Sequence, residues 1–379
     1  MHVSKRGWIL CALAGLALAG CTTDAPDADY GIMAPEVLAA EFEIPDALEV
    51  LGNDEFLFVD RRGKLVHYED GTVSFVEGLP TPTVTEFDNL VLGGFLDISL
   101  HPAFETNGWV YLVYDNADRL LTLARFTLVD DSAEGFEVLH TFNEFSPGSR
   151  IAWPDAEHLF VSHGAGGSPY PEPGPQDLAS DIGKIHRLTA EGEVPADNPV
   201  FADAEGPTTV YSYGHRNPQG LYWDAGEQAL YANEHGPKGG DELNRISAGG
   251  NFGWPLFSYG LNYDDTPVSE LSESEAAEFS ILPLAHWTPD FRVAPSGLLR
   301  VYDSAFGEWE GSFLMGALRP QHLLRYDPGT DQTEIVGDSI GRVRDVAQLP
   351  DGALLIAIDA DSPVVGEPGR IVRLTRRAD

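Results

Sequence analysis

Short hydrophobic runs recur along the chain, and each is bounded by residues that favour turns. The clearest runs are Phe56–Val59, Trp109–Tyr114, His158–Ser162, Ala229–Ala232, Ser312–Gly316 and Ala353–Ile358. They are too short for helices, and the Gly, Pro, Asp and Asn residues around them are typical of the ends of β-strands. No long amphipathic helix pattern competes with them. The pattern therefore predicts a chain built from short strands.

Second strands often follow these runs after a turn and end in basic or aromatic residues. They include Gly63–Tyr68, Gly183–Leu188, Gln321–Tyr326 and Gly369–Leu374. About six such units emerge, and a repeat of roughly fifty residues with four strands per unit is typical of a β-propeller. A two-sheet sandwich is the alternative, but it would not need so many similar units. We expect an all-β fold, a six-bladed β-propeller of four-stranded antiparallel blades.

The N-terminus carries the features of an export signal. Lys5 and Arg6 precede an apolar run at positions 8–19, which is too short to span a bilayer as a permanent helix. The run closes with Leu18-Ala-Gly-Cys21, which resembles the lipobox of bacterial lipoproteins. An ordinary signal peptide with an incidental cysteine is the alternative.

On this basis the chain divides into three parts. Residues 1–20 form a lipoprotein signal peptide, and residues 21–35 form a small, polar and acidic tether that starts at the lipidated Cys21. Residues 36–379 form a single propeller domain. We expect the protein in the bacterial cell envelope, facing the periplasm at the outer membrane, with its N-terminal lipid as the only membrane contact.

The charge balance excludes some classes of partner. The chain has 23 Lys and Arg against 60 Asp and Glu, a net charge of −37 that becomes −39 once Lys5 and Arg6 leave with the signal. Such a field repels nucleic acid and anionic lipid headgroups. Cys11 leaves with the signal and Cys21 would carry lipid, so no disulfide is expected and stability must come from a hydrophobic core.

One compact block, at positions 213–255, concentrates unusual residues. It contains Gly214-His-Arg-Asn-Pro-Gln-Gly220, Glu234-His-Gly-Pro-Lys-Gly-Gly-Asp-Glu242 and Gly249-Gly-Asn-Phe-Gly-Trp-Pro255. Glycine and proline fix tight turns that can direct backbone carbonyls inward. Carbonyl and carboxylate oxygens suit a hard cation such as calcium. Any single Gly-Pro pair is typical of an ordinary turn, but the three motifs together indicate a site.

These motifs resemble the signature of soluble PQQ-dependent aldose sugar dehydrogenases, the glucose/sorbosone dehydrogenase family (PQQ is pyrroloquinoline quinone). The resemblance extends in order over nearly the whole body, through Gly93-Gly-Phe-Leu96, His101-Pro-Ala-Phe104, Gln176-Asp-Leu178 and Gly341-Arg-Val-Arg-Asp345. Members of that family are six-bladed propellers. The resemblance implies an oxidoreductase that oxidises an aldose at C1 to its lactone and passes electrons to an external quinone or cytochrome.

The resemblance also implies which residues bind calcium. The backbone carbonyls of Gly236 and Pro237 would hold a calcium ion that also contacts the cofactor. Glu242 and the carbonyl of Phe252 would hold a second, structural calcium ion.

A further set of residues would bind the cofactor. By the resemblance, Arg216 and Asn217 would meet the reactive quinone side, with Arg216 the candidate catalytic residue. Arg342 and Arg344, with Arg319 where the family has a lysine, would pair with the carboxylates of PQQ. Guanidinium groups suit such carboxylates because they can form paired hydrogen bonds.

Two positions depart from the family pattern. The family removes the proton of the sugar's C1 hydroxyl with a histidine, but Ser146 stands at the corresponding place in Phe145-Ser-Pro-Gly-Ser-Arg150, and Leu92 replaces a glutamine that touches the cofactor. An unactivated serine hydroxyl is a poor base near neutral pH. Either another group, such as His163 or His235, supplies the base, or this scaffold has lost sugar oxidation.

Two other functions therefore stay open. The first is a non-catalytic envelope lipoprotein that binds a sugar or a cofactor. The second is a calcium-dependent lactonase on the same architecture, although propeller lactonases generally bring several acidic and amide side chains to the ion.

Overall fold

The computed structural model describes residues 28–87, 90–165, 174–202, 204–360 and 368–378. This part of the chain is organised as six four-stranded antiparallel sheets and one separate hairpin, β6–β7. The strands are β1 (Met33–Phe42), β2 (Pro45–Val50), β3 (Glu55–Asp60), β4 (Lys64–Glu69), β5 (Thr72–Phe75), β6 (Val84–Phe87), β7 (Leu90–Gly93), β8 (Phe95–Leu100), β9 (Trp109–Asp115), β10 (Leu121–Val129), β11 (Ser132–Thr141), β12 (Ile151–Ala152), β13 (His158–His163), β14 (Lys184–Thr189), β15 (Val210–Tyr213), β16 (Pro218–Asp224), β17 (Ala229–Glu234), β18 (Asp241–Ile246), β19 (Ala285–Trp287), β20 (Pro295–Arg300), β21 (Phe313–Ala317), β22 (His322–Asp327), β23 (Gln332–Gly337), β24 (Arg342–Gln348), β25 (Leu354–Asp359) and β26 (Gly369–Arg376). Helices within the described residues are limited to single turns, namely α1 (Phe104–Asn107), α2 (Glu273–Ala276) and 3-10 turns at Gly174–Gln176 and Gly307–Trp309.

The six sheets are the blades of a β-propeller, as the repeats predict. Blades 1 to 5 consist of β2–β5, β8–β11, β12–β15, β16–β19 and β20–β23, each in chain order from the inner strand outwards. The sixth blade combines β24–β26 with β1, which pairs antiparallel with β26 as the outermost strand. The first and last described strands therefore close the ring by lying side by side.

The hydrophobic core consists of six clusters, one at each interface between neighbouring blades. Strand β3 shows why its sequence is a continuous hydrophobic run. Leu57 and Val59 pack towards blade 2, whereas Phe56 and Phe58 pack towards blade 6. Successive side chains of a strand point to opposite faces, so a strand buried on both faces needs apolar residues at every position.

The inner strands surround a central channel. Each of β2, β8, β12, β16, β20 and β24 contacts the next around the ring. The channel contains a cavity of about 310 Å³. Its lining includes Glu49, Asp97, Arg150 and Asp345 among aliphatic residues.

The folded body begins earlier than the sequence analysis expects. Tyr30 and Met33 are buried in the core between blades 5 and 6, and β1 starts at Met33, although both residues fall in the expected tether at 21–35. The folded body therefore begins several residues before position 36, because Tyr30 and the first three residues of β1 were assigned to the tether. The signal peptide and Cys21 lie outside the described residues. Within the described residues, no helix has the length and apolarity needed to cross a membrane.

Candidate functional site

Arg216 and the glycine-rich loop lie at the same end of blade 4. Arg216 and Asn217 directly precede β16, and the loop that contains Gly236 directly follows β17. Because β16 and β17 are antiparallel, with Pro218 opposite Glu234, the start of one strand adjoins the end of the other. Strand pairing therefore brings the residues of two separate sequence motifs to one place.

The Arg216 guanidinium is oriented by backbone carbonyls of that loop. Its Nη1 donates to the carbonyl oxygens of His235 at 2.9 Å and Gly236 at 2.8 Å. The guanidinium carbon lies 5.3 Å from the ring centre of Trp254, within the range of a cation–π contact. Arg216 is only 8% exposed. Its charge is therefore held in a fixed position by protein dipoles and an aromatic face.

The predicted calcium loop is closely packed. An added Cβ on Gly236 would lie 2.1 Å from the carbonyl oxygen of Gly239, so no larger residue fits there without movement. The carbonyl of Gly236 faces the Arg216 guanidinium, and Pro237 follows it in the same half-buried loop. The carbonyl of Asn217 accepts a hydrogen bond from the backbone N–H of His235 at 3.1 Å. A calcium ion on the Gly236 carbonyl would have to share that oxygen with Arg216 or displace the guanidinium.

Glu242 and Phe252, the predicted ligands of the structural calcium ion, line one small cavity. Its volume is about 10 Å³ and Glu234 also lines it, which is close to the space that a single water or ion needs. Burial and the nearby charge of Glu234 raise the pKa of Glu242 well above its usual range. The side-chain amide of Asn244 donates to both carboxylates, at 2.9 Å and 3.2 Å. Two carboxylates that line one small cavity form a site that a cation would stabilise.

Glu234 is a site residue that sequence reasoning did not single out. It accepts hydrogen bonds from His215 Nδ1 at 3.0 Å and from the backbone N–H of Arg216 at 2.6 Å. It therefore links the arginine to the candidate metal cavity. The signal was present, because Glu234 opens one of the three motifs of the 213–255 block. In the described residues, no group of three or more His, Cys, Asp or Glu side chains is placed to hold a metal ion, so backbone carbonyls would have to complete any coordination shell.

Arg342 and Arg344 lie at the start of the inner strand of blade 6. Both pair with Asp359, at 3.3 Å and 2.5 Å, so two guanidinium groups face one carboxylate. Arg342 also donates to the carbonyl of Leu318 at 3.1 Å. Arg319 is the residue directly after Leu318, and it is exposed. Three of the predicted cofactor-binding arginines therefore belong to this part of the ring, since Arg342 contacts Leu318 and Arg319 is the next residue.

Arg216 and Arg344 both influence the charge state of His235. Burial lowers the pKa of His235 to about 4, Asp241 opposes this effect, and the positive charges of Arg216 and Arg344 reinforce it. The hydrogen bonds give the geometry. His235, beside Arg216, donates to the carbonyl of Pro295 at the start of β20. Pro295 pairs with Ala317. Arg342 donates to the next residue, Leu318, so Arg216 and Arg342 adjoin the same end of blade 5.

A buried ion network beneath this region was missed by the sequence analysis. Asp46 is 1% exposed and pairs with Arg61 at 2.6 Å and Arg150 at 3.4 Å. Burial alone would raise the pKa of Asp46, but the charges of Arg61, Arg150 and Arg344 hold it below its usual value. The network joins blades 1, 3 and 6 across the channel, and these residues lie far apart in the chain.

Neither Ser146 nor His163 is placed to act as a base on an incoming sugar. Ser146 is fully buried, donates through Oγ to the carbonyl of Gly148 at 2.5 Å and accepts from the N–H of Gly164 at 3.0 Å. His163 is also fully buried. Its Nε2 donates to the carbonyl of Phe145 at 3.2 Å. These contacts enclose both side chains.

His235 lies in a more accessible position. It is half-buried beside Arg216, and its Nε2 donates to the carbonyl of Pro295 at 2.7 Å. That hydrogen bond assigns the ring proton to Nε2 and leaves Nδ1 as an acceptor. Leu92, at the other departure from the family pattern, lies on the β6–β7 hairpin. Of the two histidines considered as bases, His235 is the one that shares the arginine region.

The acidic channel below the site has a consequence for stability. Burial raises the pKa of Glu49 to about 7, so the folded protein favours the protonated carboxyl. Stability from this group should be greatest in mild acid and should be lost as the pH rises through 7. Since the side chain retains partial access to the channel, we expect its effect between pH 5 and pH 8 to be on the order of 1–2 kcal/mol.

Glu49→Gln tests this expectation. The amide keeps the Oε1 acceptor for the backbone N–H of Leu100 but carries no charge. Thermal melts should show a higher midpoint than the parent protein at pH 8 and a weaker rise on acidification. An unchanged pH dependence would show that Glu49 is not the group that titrates.

Comparison with known proteins agrees with this fold. The family model described as "Glucose / Sorbosone dehydrogenase" matches residues 42–372. The chain belongs to the glucose/sorbosone dehydrogenase family. It is 32% identical over 347 residues to the aldose sugar dehydrogenase YliI of Escherichia coli, which covers 86% of this chain and 90% of that protein.

Solved structures of the same family superpose on nearly the whole chain. The apo form of the soluble aldose sugar dehydrogenase of Escherichia coli has a TM-score of 0.78 at 29% identity, covering 91% of this chain and 100% of that one. The PQQ-bound form of an aldose sugar dehydrogenase from Streptomyces coelicolor has a TM-score of 0.72 at 25% identity, covering 90% and 98%. The glucose/sorbosone dehydrogenase family thus supplies an oxidoreductase scaffold whose residues can be compared with the geometry above.

Proposed function

We propose that this protein is a PQQ- and calcium-dependent dehydrogenase that oxidises an aldose at C1 to its lactone and passes the electrons to an external acceptor. The observation that carries the proposal is the Arg216 guanidinium, which donates to the carbonyls of His235 and Gly236 while His235 donates to Pro295 at the start of blade 5. In a chain with a net charge of −37, Arg216, through His235, and Arg342 adjoin the same end of blade 5, at Pro295 and Leu318. Such a site suits a planar molecule with several carboxylates.

The arginines fit the anionic cofactor by their chemistry. Arg342 and Arg344 already orient towards a carboxylate, that of Asp359, and would hold carboxylates of PQQ in the same manner. When bound, PQQ would supply the two-electron acceptor that no side chain of the protein provides. The protein's own contribution is to fix the position of the cofactor and to stabilise negative charge near Arg216.

The second cation site fits calcium by its donor set. Glu234, Glu242 and the backbone at Phe252 line a cavity of about 10 Å³, and hard oxygen donors are what calcium prefers. The site at Gly236 and Pro237 fits less directly, because Arg216 occupies the Gly236 carbonyl. We therefore place the structural ion at Glu242 with Glu234 as an added ligand.

Calcium removal gives a direct test of that site. Chelation should lower the thermal midpoint of the parent protein, because two buried carboxylates would lose the cation that neutralises them. Glu242→Gln should melt at nearly the same temperature with and without chelator. Asp264→Asn, an exposed acid of the same blade, serves as the control and should keep the full response. A parent protein that does not respond to chelation would contradict the assignment.

The catalytic proposal is tested by reconstitution. Purified protein loaded with PQQ and calcium should reduce an electron-accepting dye when an aldose is added, and lactone should accumulate in proportion. His235→Asn should lose turnover while still binding PQQ, whereas His163→Asn should retain turnover. Loss in His163→Asn alone would assign the base to the enclosed histidine instead.

The second candidate is a family member that binds the cofactor but has lost sugar oxidation, and Ser146 favours it. The hydroxyl that replaces the family histidine is enclosed by hydrogen bonds to Gly148 and Gly164, so it contributes no base. Tight PQQ binding without dye reduction by any aldose would establish this alternative. Lactone hydrolysis without PQQ would instead favour the lactonase.

A further inference from the structure

An acidic insertion borders the site. Residues 247–284 connect β18 to β19 within blade 4, and we call the part at 256–284 the blade-4 insertion. It contains no Lys, Arg or His. Its six acidic residues are all exposed, namely Asp264, Asp265, Glu270, Glu273, Glu275 and Glu278.

The blade-4 insertion contacts Arg216 directly. The hydroxyl of Tyr263 accepts a hydrogen bond from Arg216 Nη2 at 3.4 Å. Leu261 forms a β-bridge with Lys238 of the glycine-rich loop. The surface of the insertion is therefore continuous with the proposed redox site. A carrier bound there would lie close to the cofactor that donates electrons.

Apolar side chains are exposed on the same segment. Tyr263 is 65% exposed and Leu256 is 47% exposed. Further members of the group are Leu271, Phe279, Ile281 and Leu284. Exposed apolar residues are ordinary when scattered singly, but several on one short segment, mixed with charge, are typical of a docking surface.

The segment is held in place before any partner arrives. Ser272 and Glu275 form a reciprocal capping box at the start of α2. The backbone N–H of Ile281 donates to the carbonyl of Asn251 at 2.7 Å, and that of Leu284 donates to Leu243 at 2.8 Å. A pre-formed surface binds with a smaller ordering cost than a flexible one.

We propose that the blade-4 insertion is the docking surface for a small basic redox protein that collects electrons one at a time. The inference rests on the proposed function, since it names the acceptor of the same site. Oxidation of one aldose at C1 releases two electrons and two protons; two molecules of a one-electron carrier are reduced, and the protons pass to water. Charge complementarity selects this partner, because a second copy of the chain or an anionic membrane would be repelled.

The test compares two charge-reversed variants with the parent protein. Glu270→Lys/Glu278→Lys changes the insertion, at positions with no assigned part in the site. Glu69→Lys/Glu134→Lys makes the same change in charge on exposed positions of blades 1 and 2, across the ring. The probe is a small basic c-type cytochrome, followed both by calorimetric binding at low salt without sugar and by its reduction during aldose turnover.

We expect the insertion variant to bind and reduce the cytochrome roughly tenfold less well, with unchanged dye reduction, and the control variant to match the parent. Equal loss in both variants would overturn the proposal, because it would reveal a general charge effect. Absence of cytochrome binding by the parent, or a concentration-dependent dimer that the insertion variant loses, would also overturn it. If the parent protein reduces the dye but not the cytochrome, the docking proposal fails and the proposed function stands. If it reduces neither, the proposed function fails. Calorimetry measures cytochrome binding even in an inactive protein.

Discussion

Arg216→Lys should lower aldose-dependent dye reduction by roughly 100-fold or more, on the scale seen when one fixed donor is removed from a site that stabilises developing charge. The arginine spans two carbonyls of the Gly236 loop, the face of Trp254 and the hydroxyl of Tyr263. Lysine keeps the charge but not the planar fork, so it cannot hold this arrangement. Activity and PQQ affinity are measured on the same preparation, with circular dichroism to confirm the fold.

Arg187→Lys provides the matched control for that experiment. Arg187 forms a surface pair with Asp197, far from the mouth, and its replacement should leave dye reduction unchanged. If Arg216→Lys keeps more than about half of the parent activity, the fixed guanidinium is not the group that stabilises charge in this reaction.

Asp46→Asn should cost about 3–5 kcal/mol of folding stability, the usual penalty when one partner of a buried ion network is removed. The substitution leaves the buried guanidinium groups of Arg61 and Arg150 without their shared carboxylate. The free energy of unfolding is measured by denaturant titration near neutral pH, where Asp46 is ionised because its pKa is lowered.

Asp197→Asn is the comparison for Asp46. It breaks the exposed pair with Arg187 and should cost no more than about 1 kcal/mol. A similar small loss for Asp46→Asn would show that the channel network contributes little, and that hydrophobic contacts between blades hold the ring closed alone.

The fold was predictable because its signal is repeated. Runs such as Phe56–Val59 and Trp109–Tyr114 are hydrophobic at every position since each strand packs on blades at both faces. Six repeats of this kind leave few alternatives to a ring. The start of the closing strand was assigned to the tether because β1 has a mixed pattern and Tyr30 and Met33 follow a polar stretch, although both are buried.

The site was predictable only where its residues are close in the chain. Arg216, Glu234 and Glu242 belong to one block, and strand pairing within blade 4 brings them together. The Asp46 network depends on inner strands of different blades meeting across the channel, and no local pattern encodes that distance. The binding and catalytic roles assigned to all of the predicted site residues remain predictions.

The competition at Gly236 would couple calcium binding to the position of Arg216. Arg216 holds the carbonyl that the family resemblance assigns to calcium. A calcium ion there would compete with the guanidinium for the same oxygen, next to the proposed cofactor site. Binding of the metal and of PQQ should therefore be mutually dependent rather than additive.

PQQ binding, followed by calorimetry with calcium present, tests the central claim most directly. The parent protein should bind one PQQ per chain, and Arg342→Gln/Arg344→Gln should weaken that affinity by at least about tenfold, because charge-assisted pairs to carboxylates are lost. Equal affinity in the two proteins, or no binding by the parent, would contradict the account.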